Sequence, residues 1–282
     1  MSLELLRRAF AERIRELYGV TSPPLVQAFA DVPGESFVGS GPWRLMTAGT
    51  PPLSYELTPD DDPRHLYDNV LVALDETRRL NNGEPAALMR WLGHLGLEPG
   101  ARFVHIGCGV GYYTAIAACV VSPGGHVVGV EIDAGLGVRA RENLRPYPNV
   151  EVVIGDGTCC RSERFDAIFI NAGATEPLAA WLDCLVPGGR LLVPLTVSLP
   201  VANVGFGQML LITRGAGHHA AVFVSPVGIF HCERARTDEG DDLLRAAYAR
   251  GGHERVTTLR LDAHPASDEC WLHTNRFCLS TN

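Results

Sequence analysis

At 282 residues, the chain is long enough for one large domain or for a domain with accessory segments. Its hydrophobic fraction of 46% and charged fraction of 20% are those of an ordinary soluble globular protein. The formal net charge of −8 argues against nucleic acid as the main partner, since phosphate-binding surfaces usually carry a basic excess.

Hydropathy and cysteine spacing indicate in which cellular compartment the protein is expected. No apolar run approaches the roughly 20 residues that span a bilayer, and the N-terminal segment has no signal-peptide core. We therefore expect no membrane partner and a cytoplasmic location. The eight cysteines contain no CxxC pair, so we expect buried free thiols rather than disulfides or metal ligands.

Two helices are predicted at the N-terminus. Apolar residues recur at helical spacing over residues 6–17, and Gly19 follows where a C-cap is needed. A second, short helix is predicted to begin at Ser22 and to end near Val32. Residues 39–63 are rich in Pro, Gly, Thr and Asp, which predicts a long loop that covers a site or is disordered.

Strands and helices then alternate. A helix is predicted from Pro85 to Gly96, followed by five apolar, β-branched runs: RFVHI, HVVGVEI, VEVVI, FDAIFI and RLLVPL. Helical segments lie between most of these runs, at residues 112–121, 136–144 and 177–185. This alternation predicts an α/β parallel sheet that is buried on both faces. QMLLIT and HAAVFVS, separated by a short connection, predict an antiparallel hairpin that closes the sheet edge.

A glycine-rich turn follows the first of these strands. Gly107, Gly109 and Gly111 would let backbone approach a ligand closely, and the helix after them offers unpaired N–H groups. Tyr112 stands where a dinucleotide-binding turn requires glycine. Glu131, 20 residues beyond Gly111, ends the second strand, where an acid can bind both hydroxyls of a ribose. A tight turn without a ligand remains the alternative.

The segments HIGCGVGYYTA, GVEID, GDG, FDAIFINAGA and LVPGGRLLVP, in this order, resemble the motifs of the Rossmann-like S-adenosylmethionine methyltransferases. LVQAFADVPGESFV, EPAALMRWLGHLGLEPGARFVHIG and GQMLLITR are similar to segments of the protein-L-isoaspartate O-methyltransferase family. The resemblance implies a doubly wound, mostly parallel sheet with an antiparallel closing hairpin. It also implies S-adenosyl-L-methionine as cofactor and a carboxylate of a protein or peptide as methyl acceptor.

We expect three regions: a helical and loop region on the substrate side (1–83), the cofactor-binding domain (84–236) and a C-terminal extension (237–282). The resemblance implies that the cofactor-binding residues are His105, Gly107, Cys108, Gly109, Gly111, Glu131, Ile132, Asp156 and Gly157. The glycine turn would pass close to the methionine part of the cofactor. Glu131 would hold the ribose, Ile132 would lie against the adenine, and Asp156 would accept from the adenine amino group.

The chain departs from the family pattern at two places. His105 occupies a position that is usually acidic and serves the amino end of the cofactor. If neutral His105 makes that contact, affinity should fall as the pH drops through about 6.5; a histidine without a cofactor contact is the alternative. The segment Asn81, Asn82, Gly83 and Glu84 is the expected substrate-binding loop, but Gly83 replaces the family's hydroxyl residue. The two asparagines could supply donors or only form the turn.

Other candidate sites have weaker support. His218, His219, His264 and His273 show no organised carboxylate or cysteine partner, so we expect surface histidines and no metal site. No catalytic residue is predicted, because a carboxylate acceptor is already ionised at neutral pH and needs no base. Two alternatives remain: a methyltransferase for a small metabolite or modified peptide, and a non-catalytic cofactor-binding module. The sequence does not determine the oligomeric state.

Overall fold

The computed structural model describes residues 2–47, 54–158, 163–200 and 203–282. Its α-helices are α1 (Leu3–Tyr18), α2 (Pro23–Asp31), α3 (Pro85–Leu95), α4 (Tyr112–Val120), α5 (Ala134–Asn143), α6 (Ala179–Asp183) and α7 (Asp238–Arg250). Its strands are β1 (Arg44–Thr47), β2 (Glu56–Leu57), β3 (Val70–Asp75), β4 (Leu80–Asn81), β5 (Arg102–Ile106), β6 (His126–Glu131), β7 (Val150–Ile154), β8 (Phe165–Ile170), β9 (Leu185–Ser198), β10 (Val204–Thr213), β11 (His219–Phe230), β12 (Thr258–Arg260), β13 (Cys270–His273) and β14 (Cys278–Ser280).

The chain forms two compact units. The first comprises Met1–Ala101 and Cys108–Gly155, and the second comprises Arg102–Gly107 and Asp156–Asn282. The three-region division expected from the sequence stays a prediction.

The first unit begins with the two predicted helices. The Ser2 hydroxyl accepts a hydrogen bond from the Leu5 amide at the start of α1, and Gly19 ends the helix with a φ of 63°, a conformation that favours glycine. Pro23 lies in the first turn of α2, which ends at Asp31 with Val32 as its C-cap. The sequence predicted these boundaries because capping residues act locally.

A small antiparallel sheet follows, with its strands in the order β2-β1-β3-β4. The prediction of a continuous loop over residues 39–63 is therefore wrong at β1 and β2, while residues 48–53 lie outside the described residues. The two strands are short: β1 pairs with the distant β3, and β2 pairs with β1. Trp43, Leu66 and Val72 form a buried cluster beside them. Such long-range packing leaves no periodic signal in the local sequence.

The remainder of the first unit contains the parallel pair β6 and β7 with α4 and α5. Glu131 pairs with Ile154 at the carboxyl ends of the two strands. α4 is buried along almost its whole length, as its apolar sequence YYTAIAACV predicts. The carboxyl ends of parallel strands are where ligands bind in doubly wound sheets, so this edge is a candidate binding site.

The second unit contains paired strands in the order β13-β14-β12-β11-β10-β9-β8-β5. β5, β8 and β9 are parallel, and Phe103, Phe165 and Phe169 on β5 and β8 are buried. From β9 to β13 all neighbours are antiparallel. The predicted α/β class and the β10–β11 hairpin are confirmed. The hairpin does not form the sheet edge, however, because β12 pairs with β11 and continues the sheet.

Cysteine chemistry differs from expectation at one position. The free thiols are Cys108, Cys119, Cys232, Cys270 and Cys278. Cys184 is disulfide-bonded, so the prediction of a free thiol is wrong there, because disulfide formation depends on a spatial proximity that spacing alone does not reveal. Cys159 and Cys160 lie outside the described residues. Across the ranges that the structure describes, no helix combines the length and apolar character needed to cross a membrane.

Candidate functional site

The glycine turn of the first unit leads into α4. Gly109 and Gly111 have φ values of 57° and 94°, which favour glycine. A Cβ atom on Gly111 would lie 2.7 Å from Leu144 Cδ1, whereas one on Gly109 would meet nothing within 4 Å. Gly111 is therefore required by packing, and the backbone at Gly109 borders open space.

Cys108 takes part in this turn through its backbone. Its amide donates to the Val130 carbonyl at 3.1 Å, and its side chain is only 5% exposed. Burial and the nearby Glu131 carboxylate raise the pKa of the Cys108 thiol, which therefore stays protonated at neutral pH. Only the backbone of Cys108 fits the predicted contact with a ligand.

Glu131 ends β6 and supports the turn. It is 6% exposed, its Oε2 accepts from the Gly109 amide at 2.7 Å, and its Oε1 accepts from the Asp133 amide at 3.0 Å. Burial raises the pKa of this carboxyl, against the effect of these two backbone hydrogen bonds. Each carboxylate oxygen can accept two hydrogen bonds, so both keep capacity for a further donor. The structure thus brings the predicted residues Gly109 and Glu131 into direct contact.

The residues after Glu131 continue the same edge. The Ile132 side chain is 39% exposed, which is unusual for an isoleucine next to a buried strand. Asp133 caps α5 by accepting from the Leu136 amide, and it forms an ion pair with the Arg78 guanidinium. Arg78 also binds Asp75 at 2.7 Å. Arg78 could not be predicted from the sequence, because a charged side chain in a turn gives no signal of a distant partner.

The asparagines of the predicted substrate loop hold the loop itself. Asn81 Oδ1 accepts from the Gly83 amide at 2.9 Å. Asn82 Oδ1 accepts from the Val72 amide at 2.7 Å, and the Asn82 amide donates to the Val72 carbonyl at 3.0 Å. Asn82 also lines a narrow cleft of the first unit with Tyr112. Their amide oxygens therefore serve the turn, which supports the structural alternative considered for them.

Gly83 adopts a conformation that a hydroxyl residue would rarely take. Its φ is 82°, a Cβ atom would lie 3.0 Å from Leu88 Cδ2, and its carbonyl accepts from the Tyr113 hydroxyl at 3.2 Å. Glu84 precedes α3 and accepts from the Asn69 amide group at 2.6 Å. The backbone of this loop, and not only one side chain, thus disfavours serine or threonine at position 83.

In the second unit, His105 is a fully buried residue of β5. Its side chain has no exposed surface and stacks between Phe103 and Phe169, with ring centroids 6.3 and 5.1 Å away. Burial lowers the pKa of His105 to about 3. The ring therefore stays neutral near pH 6.5, which argues against a loss of cofactor affinity at that pH, and the predicted dependence stays a prediction. The burial gives no support to the predicted contact with the amino end of the cofactor.

Gly107 and Gly157 are packed tightly within the second unit. A Cβ atom on Gly107 would lie 3.1 Å from the Asn171 carbonyl oxygen, and one on Gly157 would lie 2.4 Å from Ile106 Cγ2. The Gly157 carbonyl accepts from Trp181 Nε1 at 2.8 Å. Packing alone accounts for glycine at both positions, and their predicted contacts with the cofactor stay predictions.

Asp156 is the ionised group of this segment. One carboxylate oxygen accepts from the Thr158 amide and hydroxyl at 2.9 and 2.8 Å, and the other lies 3.3 Å from the Arg234 guanidinium. These contacts outweigh desolvation and lower the pKa of Asp156. Arg234, which follows the end of β11, was not predicted from the sequence.

The histidines near the C-terminus are not isolated surface groups. His264 and His273 lie beside Cys270 and Cys278, so the expectation that they have no cysteine partner is wrong. The four residues are separated by loops and strands in the sequence, and antiparallel pairing brings them together.

Comparison with known proteins identifies a family to which the chain is similar. The profile of the family "Protein-L-isoaspartate(D-aspartate) O-methyltransferase (PCMT)" matches residues 67–203. The chain is 32% identical over 220 residues to the protein-L-isoaspartate O-methyltransferase of Methanothrix thermoacetophila, covering 76% of this chain and 93% of the relative. It is 31% identical over 192 residues to that of Thermotoga maritima, covering 66% of this chain. The chain spans only about half of this second relative's length, 54%.

Solved structures show the same fold. A protein-L-isoaspartate O-methyltransferase structure aligns with a TM-score of 0.64 at 22% identity, covering 86% of this chain and 69% of the other. A second, from Plasmodium falciparum, is described as a putative protein-L-isoaspartate O-methyltransferase in complex with S-adenosyl-L-homocysteine. It aligns with a TM-score of 0.60 at 16% identity, covering 81% and 98% of the two chains. At these identities the likeness establishes the Rossmann-like methyltransferase fold.

Proposed function

Because the chain belongs to the protein-L-isoaspartate O-methyltransferase family, we propose that it is an S-adenosylmethionine-dependent enzyme that O-methylates a carboxylate of a protein or peptide. The observation that carries the proposal is the buried Glu131 carboxylate, held by the Gly109 amide at the carboxyl end of β6. An acid at this position suits a ribose, whose two hydroxyls are both donors.

The residues of the first unit fit such a cofactor. Gly109 presents backbone to open space, and Glu131 retains acceptor capacity on both oxygens. Ile132 offers an exposed apolar surface that could pack against a planar base. Gly111 caps α4 without a side-chain hydrogen bond, so the first amides of the helix favour a negative group such as a carboxylate. The roles implied for Gly107, Asp156 and Gly157 stay predictions.

The reaction requires little acid–base catalysis from the protein. The bound cofactor would supply the methyl group, and an acceptor carboxylate with a pKa near ~4 is already ionised at neutral pH. The protein then has to hold the acceptor in line with the methyl group and to keep water out. The glycine turn and Glu131 would fix the cofactor, and backbone of the loop at residues 81–84 would face the acceptor. Contact through the loop backbone is consistent with the asparagine side chains of this loop, which mainly maintain the loop's own conformation.

Gly83 favours a second candidate, in which the acceptor differs from a generic isoaspartyl residue. The family's hydroxyl is missing at this position, and the φ of 82° disfavours its replacement. A small metabolite or a modified peptide is the alternative acceptor. We expect at most trace methylation of unrelated isoaspartyl peptides. The third hypothesis is that the chain is a non-catalytic cofactor-binding module.

Two measurements test the proposal. Calorimetry should detect binding of S-adenosylhomocysteine but not of NAD, because Tyr112 replaces the glycine that a dinucleotide turn needs. Incubation with tritiated S-adenosylmethionine and candidate peptides should yield base-labile methyl esters. Micromolar NAD binding without S-adenosylhomocysteine binding would contradict the cofactor assignment. Base-stable methyl incorporation would favour a non-carboxylate acceptor, and tight cofactor binding without turnover of any acceptor would favour the binding module. The cytoplasmic location and the absence of nucleic-acid and membrane partners stay predictions.

A further inference from the structure

A cluster of two histidines and two cysteines lies in the C-terminal part of the second unit. It consists of His264, Cys270, His273 and Cys278, each offering one nitrogen or sulfur atom, and these atoms all lie within 4.8 Å of one another. Cys278 is buried, and the other three are partly buried. None of the four belongs to the glycine turn, the substrate loop or the segment around Asp156.

A β-bulge brings three of these residues to one face of the sheet. Side chains alternate between faces along a strand, so Cys270 and His273, three residues apart, would normally point to opposite faces. The register shifts between Cys270 and Leu272, so that Cys270 pairs with Ser280 while His273 pairs with Cys278. The inserted residue changes the alternation and places Cys270, His273 and Cys278 on the same face. A regular hairpin would separate them.

The fourth residue reaches the cluster from the loop before β13. His264 Nδ1 lies 2.9 Å from the Asp262 carbonyl oxygen. A carbonyl only accepts, so Nδ1 carries the proton and Nε2 holds the lone pair. His264 Nε2 lies 3.8 Å from Cys270 Sγ, inside the cluster. This carbonyl therefore fixes the tautomer in the way that outer partners fix metal-binding histidines.

The surroundings of Cys270 Sγ and of the His273 imidazole also suit metal ligands. The Ser267 amide and hydroxyl lie 3.4 and 3.5 Å from Cys270 Sγ, where they can donate to a thiolate. His273 Nδ1 is buried and has no hydrogen-bond partner among the residues that the structure describes. A buried imidazole nitrogen without a partner is costly unless a ligand uses it. The rings of His264 and His273 meet edge to face, with centroids 4.8 Å apart.

We propose that His264, Cys270, His273 and Cys278 bind one Zn²⁺ ion. Two imidazole nitrogens and two thiolates are a common donor set for tetrahedral structural zinc. Zinc bonds of about 2.0–2.3 Å place neighbouring ligand atoms about 3.3–3.8 Å apart, so the 4.8 Å cluster needs only a small contraction. Binding exchanges the two thiol protons for the metal, and two thiolates balance its charge.

The expected role is structural. Four protein ligands fill the tetrahedron and leave no open position for a substrate or an activated water. The metal would fasten the loop after β12 to the β13–β14 hairpin, whose strands have only three or four residues each. This role is separate from the proposed methyl transfer, so either proposal can fail without the other.

Zinc content and metal spectroscopy of the full chain test the proposal. Protein purified with a thiol reductant and freed of metal should bind about one Zn²⁺ per chain and, with Co²⁺ instead, should show the sulfur-to-cobalt charge-transfer and tetrahedral bands of a thiolate site. Cys270→Ser and His273→Ala should each lower zinc affinity by about 100-fold or more. Cys119→Ser, which removes an exposed free thiol of the first unit, is the matched control and should leave affinity unchanged. No zinc bound by the folded native chain, or equal loss in the control, would overturn the proposal.

Thiol mapping keeps the test decisive if a variant fails to fold. In native protein, Zn²⁺ should protect the partly buried Cys270 from alkylation, whereas Cys119 should react with or without the metal. Removing the metal should make Cys270 reactive, while Cys278 stays buried by the protein itself. Equal alkylation with and without zinc would refute the site. A Cys270–Cys278 disulfide that persists under reductant and excludes zinc would refute it equally. In every case, S-adenosylhomocysteine binding should be unaffected.

Discussion

Replacing Glu131 with alanine removes the acceptor of two backbone hydrogen bonds, from Gly109 at 2.7 Å and from Asp133 at 3.0 Å. Each is worth about 1 kcal/mol net, so the free energy of unfolding should fall by about 2 kcal/mol. Removing a carboxylate whose burial is unfavourable offsets part of this loss. If Glu131 also binds the ribose, affinity for S-adenosylhomocysteine should fall by about 1–3 kcal/mol, or about 5- to 150-fold in Kd.

Calorimetric titration gives the Kd, and urea denaturation gives the free energy of unfolding. Glu98→Ala, at an exposed turn before β5, is the matched control and should change neither quantity. A Glu131→Ala variant that is less stable but binds S-adenosylhomocysteine within about twofold of the native Kd would refute the ribose assignment. Glu131 would then act only as a support for the glycine turn.

Three further predictions concern the substrate loop and the core. In chemical denaturation, Gly83→Ala should lower the free energy of unfolding by more than Gly100→Ala does. Both glycines have a positive φ, but only at Gly83 would the added Cβ atom also meet a leucine side chain. Equal effects of the two substitutions would argue against this packing constraint. Asn82→Ala should impair turnover of the true acceptor more than cofactor binding and should lower stability by about 1–3 kcal/mol by orphaning the Val72 amide. Asn82→Asp keeps that acceptor, so restored stability with normal turnover would confine Asn82 to a structural role. Burial lowers the pKa of His105 to about 3, so its stabilising contribution is complete above pH 6.5 and is lost as the pH falls from 6.5 toward 3. Between pH 7 and pH 4.5, His105 should cost the native protein about 2–3 kcal/mol of its free energy of unfolding, and the His105→Gln variant should not show this loss. An unchanged pH profile of unfolding in the variant would contradict the burial of a neutral His105.

The sequence determined the elements whose signals are local. Ser2 and Gly19 set the ends of α1, and the apolar runs of β5 to β9 identified the parallel strands, because caps and buried runs depend on neighbouring residues. The glycine turn and Glu131 were recognised for the same reason. Each stands at a strand end that the alternation of strands and helices predicts, and the structure places Gly109 and Glu131 in contact there.

Only the tertiary structure decided the features that depend on distant partners. The imidazole of His105 is neutral because it is fully buried, and Asn82 holds β3 through hydrogen bonds to Val72. The cluster of His264, Cys270, His273 and Cys278 has no spacing pattern that the sequence analysis recognised, since a single bulge sets which face of β13 each side chain occupies. Contacts of this kind form through space, and the order of residues along the chain carries no direct record of them.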